Sequence, residues 1–146
     1  MYRFFLLSSL FLFSCNRHLI PEETISVTTQ SQFELTYNIV TFGDDKANAL
    51  TNAIYKAFQN IFFIGTPNTI NNIPMIEGKM SEKKVLLDNF IKSKQYEAFV
   101  SSIAQTNYSK IKDVKRKVKI ETKITVNIES LRRFLKNDGV IRKFGY

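Results

Sequence analysis

The sequence predicts an α+β domain: a mixed, mainly antiparallel sheet of three or four strands with a long helix packed on one face. Residues 118–128 alternate apolar and polar side chains, which is typical of a strand with one buried face. Residues 33–41 alternate in the same way. Lys46–Phe63 repeats apolar residues at the three- and four-residue steps of an amphipathic helix. The remaining elements are assigned around these three.

The first fifteen residues have the layout of a bacterial lipoprotein signal. Arg3 precedes the apolar run Phe4–Phe13, and Leu12-Phe13-Ser14-Cys15 resembles a lipobox. As a helix this run spans only about 15 Å, about half of a hydrocarbon core of roughly 30 Å. We therefore predict a signal peptide at residues 1–14 and lipid attachment at Cys15. The alternative is an ordinary secreted protein whose cysteine merely lies near the cleavage site.

The segment after Cys15 is predicted to be a tether. Residues 15–32 contain Pro21 and many Ser, Thr and Gln with little apolar periodicity, which favours a flexible linker. Residues 33–146 are then long enough for one α+β domain. Asn16 follows the cysteine, where Asp in the lipoprotein pattern implies retention in the inner membrane. The predicted location is therefore the bacterial outer membrane, with a lipid anchor and the domain facing the periplasm.

The long helix has signals at both ends. Asp44 or Asp45 can cap its start, Gly65 ends it, and Pro67 prevents its continuation. Its predicted apolar face comprises Ala47, Leu50, Ile54, Ala57, Phe58 and Ile61, with Ala49 and Ala53 beside it. The small side chains predict close packing on the sheet.

The loop Gly65–Met80 is rich in Gly, Pro and Asn but also carries apolar side chains. Either it folds back over the core or it offers a docking surface. The candidate docking residues are Ile70, Ile73, Met75 and Ile76.

Four further elements complete the prediction. Ser81 can cap a helix that continues to Ser93. Tyr96–Thr106 fits either a helix or a strand, and we favour a strand that forms a hairpin with 118–128. A short helix follows at Glu129–Asn137, and Val140–Phe144 is predicted as a final strand.

Positive charge is concentrated in the C-terminal third. The chain has a formal net charge of +8, and residues 107–146 hold 12 basic and 4 acidic side chains. The candidate contacts with an anionic surface are Lys115, Lys117, Lys119 and Lys123. They can bind lipid headgroups or anionic glycans, or they can form a solvated strand face that discourages edge pairing. Because an envelope lipoprotein meets little nucleic acid, we predict no nucleic-acid partner.

Enzyme signatures are largely missing. His18, the only histidine, lies in the predicted tether, so no His-based catalytic site can form in the domain. The sequence predicts no catalytic residue, no metal site and no cofactor. A hydrolase that uses carboxylates such as Asp44, Asp45 and Asp88 is an alternative, although a helix cap and exposed charge explain these residues more simply.

Several segments resemble a known group of proteins. The most distinctive is the ending Gly139-Val-Ile-Arg-Lys-Phe-Gly-Tyr146, accompanied by Ala47-Asn-Ala49, Gly65-Thr-Pro67 and Ile124-Thr-Val-Asn127. Together they resemble uncharacterised Bacteroidota-type outer-membrane lipoproteins that end near Ile-Arg-Lys-Phe-Gly. More distantly, the order of elements is similar to the N-terminal domain of flagellar assembly protein T and to related small outer-membrane lipoproteins. This resemblance implies a role in envelope assemblies without catalysis.

The predicted function is accordingly that of a lipid-anchored, non-enzymatic periplasmic adaptor or assembly factor of an outer-membrane or cell-surface complex. Its expected partners are the membrane, through the anchor, and an envelope protein, and the oligomeric state is left open. One alternative is a lipid- or glycan-binding module that uses the basic C-terminal face. The other is the carboxylate-based hydrolase.

Replacing Cys15 with Ser should abolish lipid labelling and release the protein from the membrane fraction. The hydroxyl does not replace the thiol that forms the thioether, and Phe4–Phe13 is too short to span a bilayer. Fractionation of cells, with mass spectrometry of the mature N-terminus, measures both effects. A mature N-terminus at an unmodified residue other than Cys15 would overturn the lipoprotein assignment.

Overall fold

A computed structural model describes residues 22–67, 69, 72–77, 80–111 and 118–141, with backbone alone for 80–82. The elements in chain order are β1 (Thr24–Gln30), β2 (Glu34–Gly43), α1 (Lys46–Gln59), α2 (Met80–Lys92), β3 (Val100–Lys110), β4 (Val118–Asn127) and α3 (Ile128–Asn137). The strands form one sheet in the order β1-β2-β4-β3, and every neighbouring pair is antiparallel. The α+β prediction is confirmed.

β4 is an interior strand of this sheet, as predicted. Its inner face, which points toward the helices, carries Val118, Ile120, Thr122, Ile124 and Val126, all of them buried. The outer face is polar and partly solvated. On it the hydroxyls of Thr36 and Thr125 lie 3.0 Å apart, and Asn38 Nδ2 donates to Glu121 Oε1 at 3.0 Å. Side-chain hydrogen bonds between neighbouring strands therefore stabilise the polar outer face of the sheet.

α1 packs on the sheet through small side chains. Asp45 caps the helix by accepting from the Asn48 N–H at 2.7 Å. Ala49, Ala53 and Ala57 are fully buried, whereas Ala47, which was predicted on the apolar face, is exposed. The stripe at four-residue spacing faces the sheet because its small residues let the two backbones approach.

The closest approach of α1 is at the end of β2. A Cβ added at Gly43 would lie 2.4 Å from the Ala49 nitrogen, so a larger residue at this position displaces the helix. Thr41 Oγ1 donates to the Ala49 carbonyl at 2.9 Å in the buried interface. Without this carbonyl acceptor, the Thr41 hydroxyl would be buried with no hydrogen-bond partner.

The helix does not end in a regular turn. Residues Asn60–Ile64 form a π-helical turn, and Gly65 then adopts φ 79°, a left-handed value that favours glycine. The turn accompanies an aromatic cluster around Phe90 of α2. The ring centroid of Phe90 lies 5.1 Å from that of Phe58 and 5.4 Å from that of Phe62.

The predicted flexible tether is wrong over Thr24–Gln30, which is the edge strand β1. Ile25 and Val27 point inward and pack against the core, while the Ser and Thr residues of the strand are exposed. Just before the strand, Glu23 forms an ion pair with Lys56 of α1 at 2.7 Å. The described sheet therefore begins at residue 24 rather than 33.

Other boundaries differ by a few residues. α2 begins at Met80, one residue before the predicted cap Ser81. A 3₁₀ turn at Gln95–Ala98 precedes β3, so the predicted pairing of this strand with β4 is confirmed, but the strand begins and ends four residues later than predicted. The predicted last strand is absent at Val140 and Ile141, which instead bend back against the core after α3. Residues 142–146 lie outside the described residues.

Replacing Ile124 with Ala should lower the free energy of unfolding by about 2–5 kcal/mol, because this fully buried side chain leaves a cavity. The neighbouring residue provides the control. Lys123→Ala changes an exposed side chain of the same strand and should alter stability by less than about 0.5 kcal/mol. Chemical denaturation of both variants tests the assignment, and equal stabilities would contradict the interior position of Ile124.

Candidate functional site

Part of the predicted site set lies outside the described residues, namely Cys15, Ile70, Lys115 and Lys117. The remaining predicted residues do not form one site. Ile73, Met75 and Ile76 lie in the loop after α1, whereas Lys119 and Lys123 lie on the outer face of β4.

The loop after α1 folds back over the core at the positions that can be followed. The Met75 N–H donates to the Ile61 carbonyl at 3.1 Å, and the Ile76 N–H donates to the Phe62 carbonyl at 2.9 Å. Ile76 is buried and Met75 is half-buried against the core, so both stabilise the fold rather than forming a free docking surface. Ile73 remains 71% exposed.

The described lysines of the basic row alternate with an acidic residue. Lys119 is half-buried and Lys123 is exposed, and Glu121 lies between them on the same face. Asn38 donates to the Glu121 carboxylate, which keeps that carboxylate in place. This stretch of β4 is therefore a mixed-charge surface rather than a continuous cationic one.

A cleft of about 610 Å³ separates β1 from the loop after α1. The described part of its lining has no charged side chain, and its polar residues are Ser26, Thr28, Thr29, Gln30, Tyr37, Asn60, Thr66 and Thr69. The Tyr37 and Thr66 hydroxyls lie 2.6 Å apart at its base. Burial raises the pKa of Tyr37, and the hydrogen bond with Thr66 opposes that rise only partly. Such a lining offers hydrogen bonds but no general acid or base near neutral pH.

A second cavity, of about 430 Å³, lies between α2 and α3. We call it the α2–α3 groove, and its apolar lining residues are Val85, Leu86, Phe90, Phe134, Leu135 and Val140. Asn89, Gln95 and Asp138 form a polar rim. Val85 is 62% exposed although it is apolar. Sequence periodicity places Phe90 and Phe134 on apolar helix faces, but it does not show that a groove remains between the two faces.

β3 is the third surface that the sequence did not reveal. Ten of its eleven residues are exposed and one is half-buried. Ile103 and Tyr108 are 41% and 42% exposed, although they pair with the fully buried Ile124 and nearly buried Ile120. α1 packs on β2 and β4, whereas Ile103 and Tyr108 on the inner face of β3 stay exposed among the described residues.

Comparisons with protein families, curated proteins and solved structures yield no match for this chain. The resemblance to outer-membrane lipoproteins therefore stays a prediction. Across the described ranges, no three His, Cys, Asp or Glu side chains are grouped to hold a metal ion. None of the helices in that part of the chain has the length and apolar character needed to cross a bilayer.

The buried Tyr37 should make stability fall as the pH rises above about 10, the ordinary pKa of tyrosine. Its pKa is raised in the folded state, so folding favours the neutral phenol, and the gain is complete below the unfolded pKa and lost above it. Burial also raises the pKa of Tyr55 and Tyr96, so Tyr37→Phe should reduce the alkaline loss rather than abolish it. Denaturation between neutral and alkaline pH measures the slope.

Tyr108→Phe is the matched control, because Tyr108 is an exposed tyrosine on β3. Tyr37→Phe should reduce the alkaline loss of stability more than this control does. An unchanged slope in Tyr37→Phe would show that the Tyr37–Thr66 pair does not couple folding to pH.

Proposed function

We propose that this protein is a lipid-anchored, non-enzymatic adaptor or assembly factor of the bacterial outer membrane. In this proposal the domain faces the periplasm and docks an apolar segment of an envelope protein in the α2–α3 groove. The open, aromatic-floored groove is the observation that carries the proposal, and the lipobox at Cys15 supplies the location.

The groove has the composition of a protein docking site. Phe90 and Phe134 provide an aromatic floor, with ring centroids 6.5 Å apart, and polar residues surround it. Val85 stands at the edge with most of its side chain in water. Burying such an apolar side chain against a partner contributes up to about 1.5–3 kcal/mol. An amphipathic segment with a few apolar side chains fits this shape.

The start of β1 supports a position close to the membrane. Thr24 lies nine positions after Cys15 along the chain, and nine extended steps reach at most about 30 Å. If Cys15 carries the lipid, the first strand of the sheet stays within this distance of the bilayer. Partners that lie in or beside the same membrane are then within reach.

The two cavities favour binding over hydrolysis. Paired-carboxylate hydrolysis of glycosides needs two carboxyl groups about 5–9.5 Å apart at the cleft. Among the described residues, Asp138 is the one carboxylate that lines the α2–α3 groove, and none lines the cleft beside β1. Apolar contact and neutral hydrogen bonding are what these surfaces supply.

A photo-crosslinking residue at Asn89, on the rim of the groove, should capture a discrete envelope protein in the cells that naturally make this chain. Val85→Gln should lower the yield of that adduct by about fivefold or more, because it removes apolar contact at the edge of the groove. Ile73→Gln is the control, since it makes a similar change at another highly exposed position.

Both variants should keep the melting temperature of the wild type within a few degrees. An adduct that survives Val85→Gln would contradict docking in the groove. An adduct lost in Ile73→Gln instead would place the docking site on the loop after α1.

A further inference from the structure

In the described part of the chain, the outer edge of β3 has no neighbouring strand, and it is shielded only by two register shifts and by Asn107 Oδ1, which accepts from the Tyr108 N–H at 2.7 Å. Its residues Val100–Ser109 include no charged side chain and no proline, and Lys110 is the first charge. Natural sheet edges usually carry such residues because a bare edge pairs with another strand. β3 is also the longest strand of the sheet and takes no part in the α2–α3 groove. A role for this edge is therefore independent of the proposed adaptor function and goes beyond it.

A bulge makes β3 complementary to itself. The register with β4 skips Thr106, so Ile103 and Tyr108 both face inward although they are five residues apart. In a regular strand, residues five apart point to opposite faces. When two copies of β3 pair antiparallel about an axis between Gln105 and Thr106, Ile103 lies opposite Tyr108 of the second copy. The exposed apolar side chains then cover each other in two symmetric pairs.

The outer face matches in the same register. Ser102 lies opposite Ser109 of the second copy, and Ala104 lies opposite Asn107 of the second copy. All four of these residues point outward, because their β4 partners are the outward-facing Thr125, Lys119, Lys123 and Glu121. No side chain of either strand is forced to the wrong face.

The charges at the two ends of β3 are complementary. Ser101 Oγ donates to the Glu34 carboxylate at 2.7 Å at the beginning of the strand. Lys119 lies beside Ser109 near its end, also on the outer face. In the paired register two strand spacings, about 10 Å, separate Ser101 from the backbone of Lys119 of the second copy. The long lysine side chain spans most of this distance toward Glu34, and the symmetry repeats the contact.

We propose that this protein forms a two-fold symmetric dimer in which the two β3 strands pair antiparallel, with Ile103 opposite Tyr108 and Glu34 facing Lys119 of the second copy. The two four-stranded sheets then lie edge to edge, and their hydrogen-bond ladder is interrupted at the axis, where the peptide between Gln105 and Thr106 meets its own copy. An isologous contact of this kind closes on itself and leaves no free β3 edge for further growth.

Charge reversal in the full chain tests the pairing, with Cys15→Ala present so that no acyl chain contributes to association. Glu34→Lys and Lys119→Glu should each raise the dimer dissociation constant about tenfold, because each places like charges together twice. The double variant should return it close to the wild-type value, and sedimentation equilibrium measures all four proteins. A monomeric wild type, or a double variant no tighter than the singles, would overturn the proposal.

Disulfide trapping tests the register independently of the charges. The chain has a single cysteine, so Cys15→Ala leaves only a thiol that is introduced. A mixture of Ala104→Cys and Asn107→Cys chains should form the mixed disulfide, since these positions lie directly opposite in the dimer. Either variant alone should crosslink poorly, because its two thiols are displaced by about three residues, or roughly 10 Å, beyond the reach of a disulfide. Equal crosslinking of either variant alone would contradict this register.

Discussion

The close contact between α1 and the centre of the sheet is the constraint on which the rest of the structure depends. Gly43 and the stripe Ala49, Ala53 and Ala57 remove side-chain bulk where the helix crosses β2. Hydrophobic burial favours this contact. The position of α1 on the sheet is set more narrowly by the small residues, because only they allow the two backbones to come this close. The π turn after α1 and the aromatic cluster of α2 follow from where the helix is held.

A single central helix does not cover a four-stranded sheet to both borders. The inner side of β1 lies beside the cleft, and Ile103 and Tyr108 on the inner side of β3 stay exposed in the described part of the chain. α2 and α3 close the remaining part of the core through Phe90, Phe99 and Phe134, but they meet at an open groove. The surfaces suited to partners therefore lie where the helical layer stops, which follows from the mismatch between the widths of the two layers.

The strongly periodic elements could be predicted from the sequence, whereas features set by the tertiary structure could not. β2, β4, α1 and α3 follow from the spacing of apolar residues, and Asp45 follows from its capping chemistry. β1 was missed because Thr and Ser, common in strands and in linkers alike, outnumber its two inward residues Ile25 and Val27. The apolar residues of the loop after α1 were compatible with either a docking surface or a loop folded over the core. Backbone hydrogen bonds to Ile61 and Phe62 decide this at Ile76, which they direct into the core.

The ion pair between Glu23 and Lys56 lies at the point where a pull on the N-terminus would enter the domain. A force directed along β1 acts in shear, so all residue pairs between β1 and β2 carry the load together. A force directed across the sheet separates the pairs one at a time, beginning with Thr24 and Val40. Lys56 ties the chain to α1 just ahead of that first pair. The ion pair thus shares mechanical load with the strand, and the direction of the pull sets how much force this end of the domain withstands.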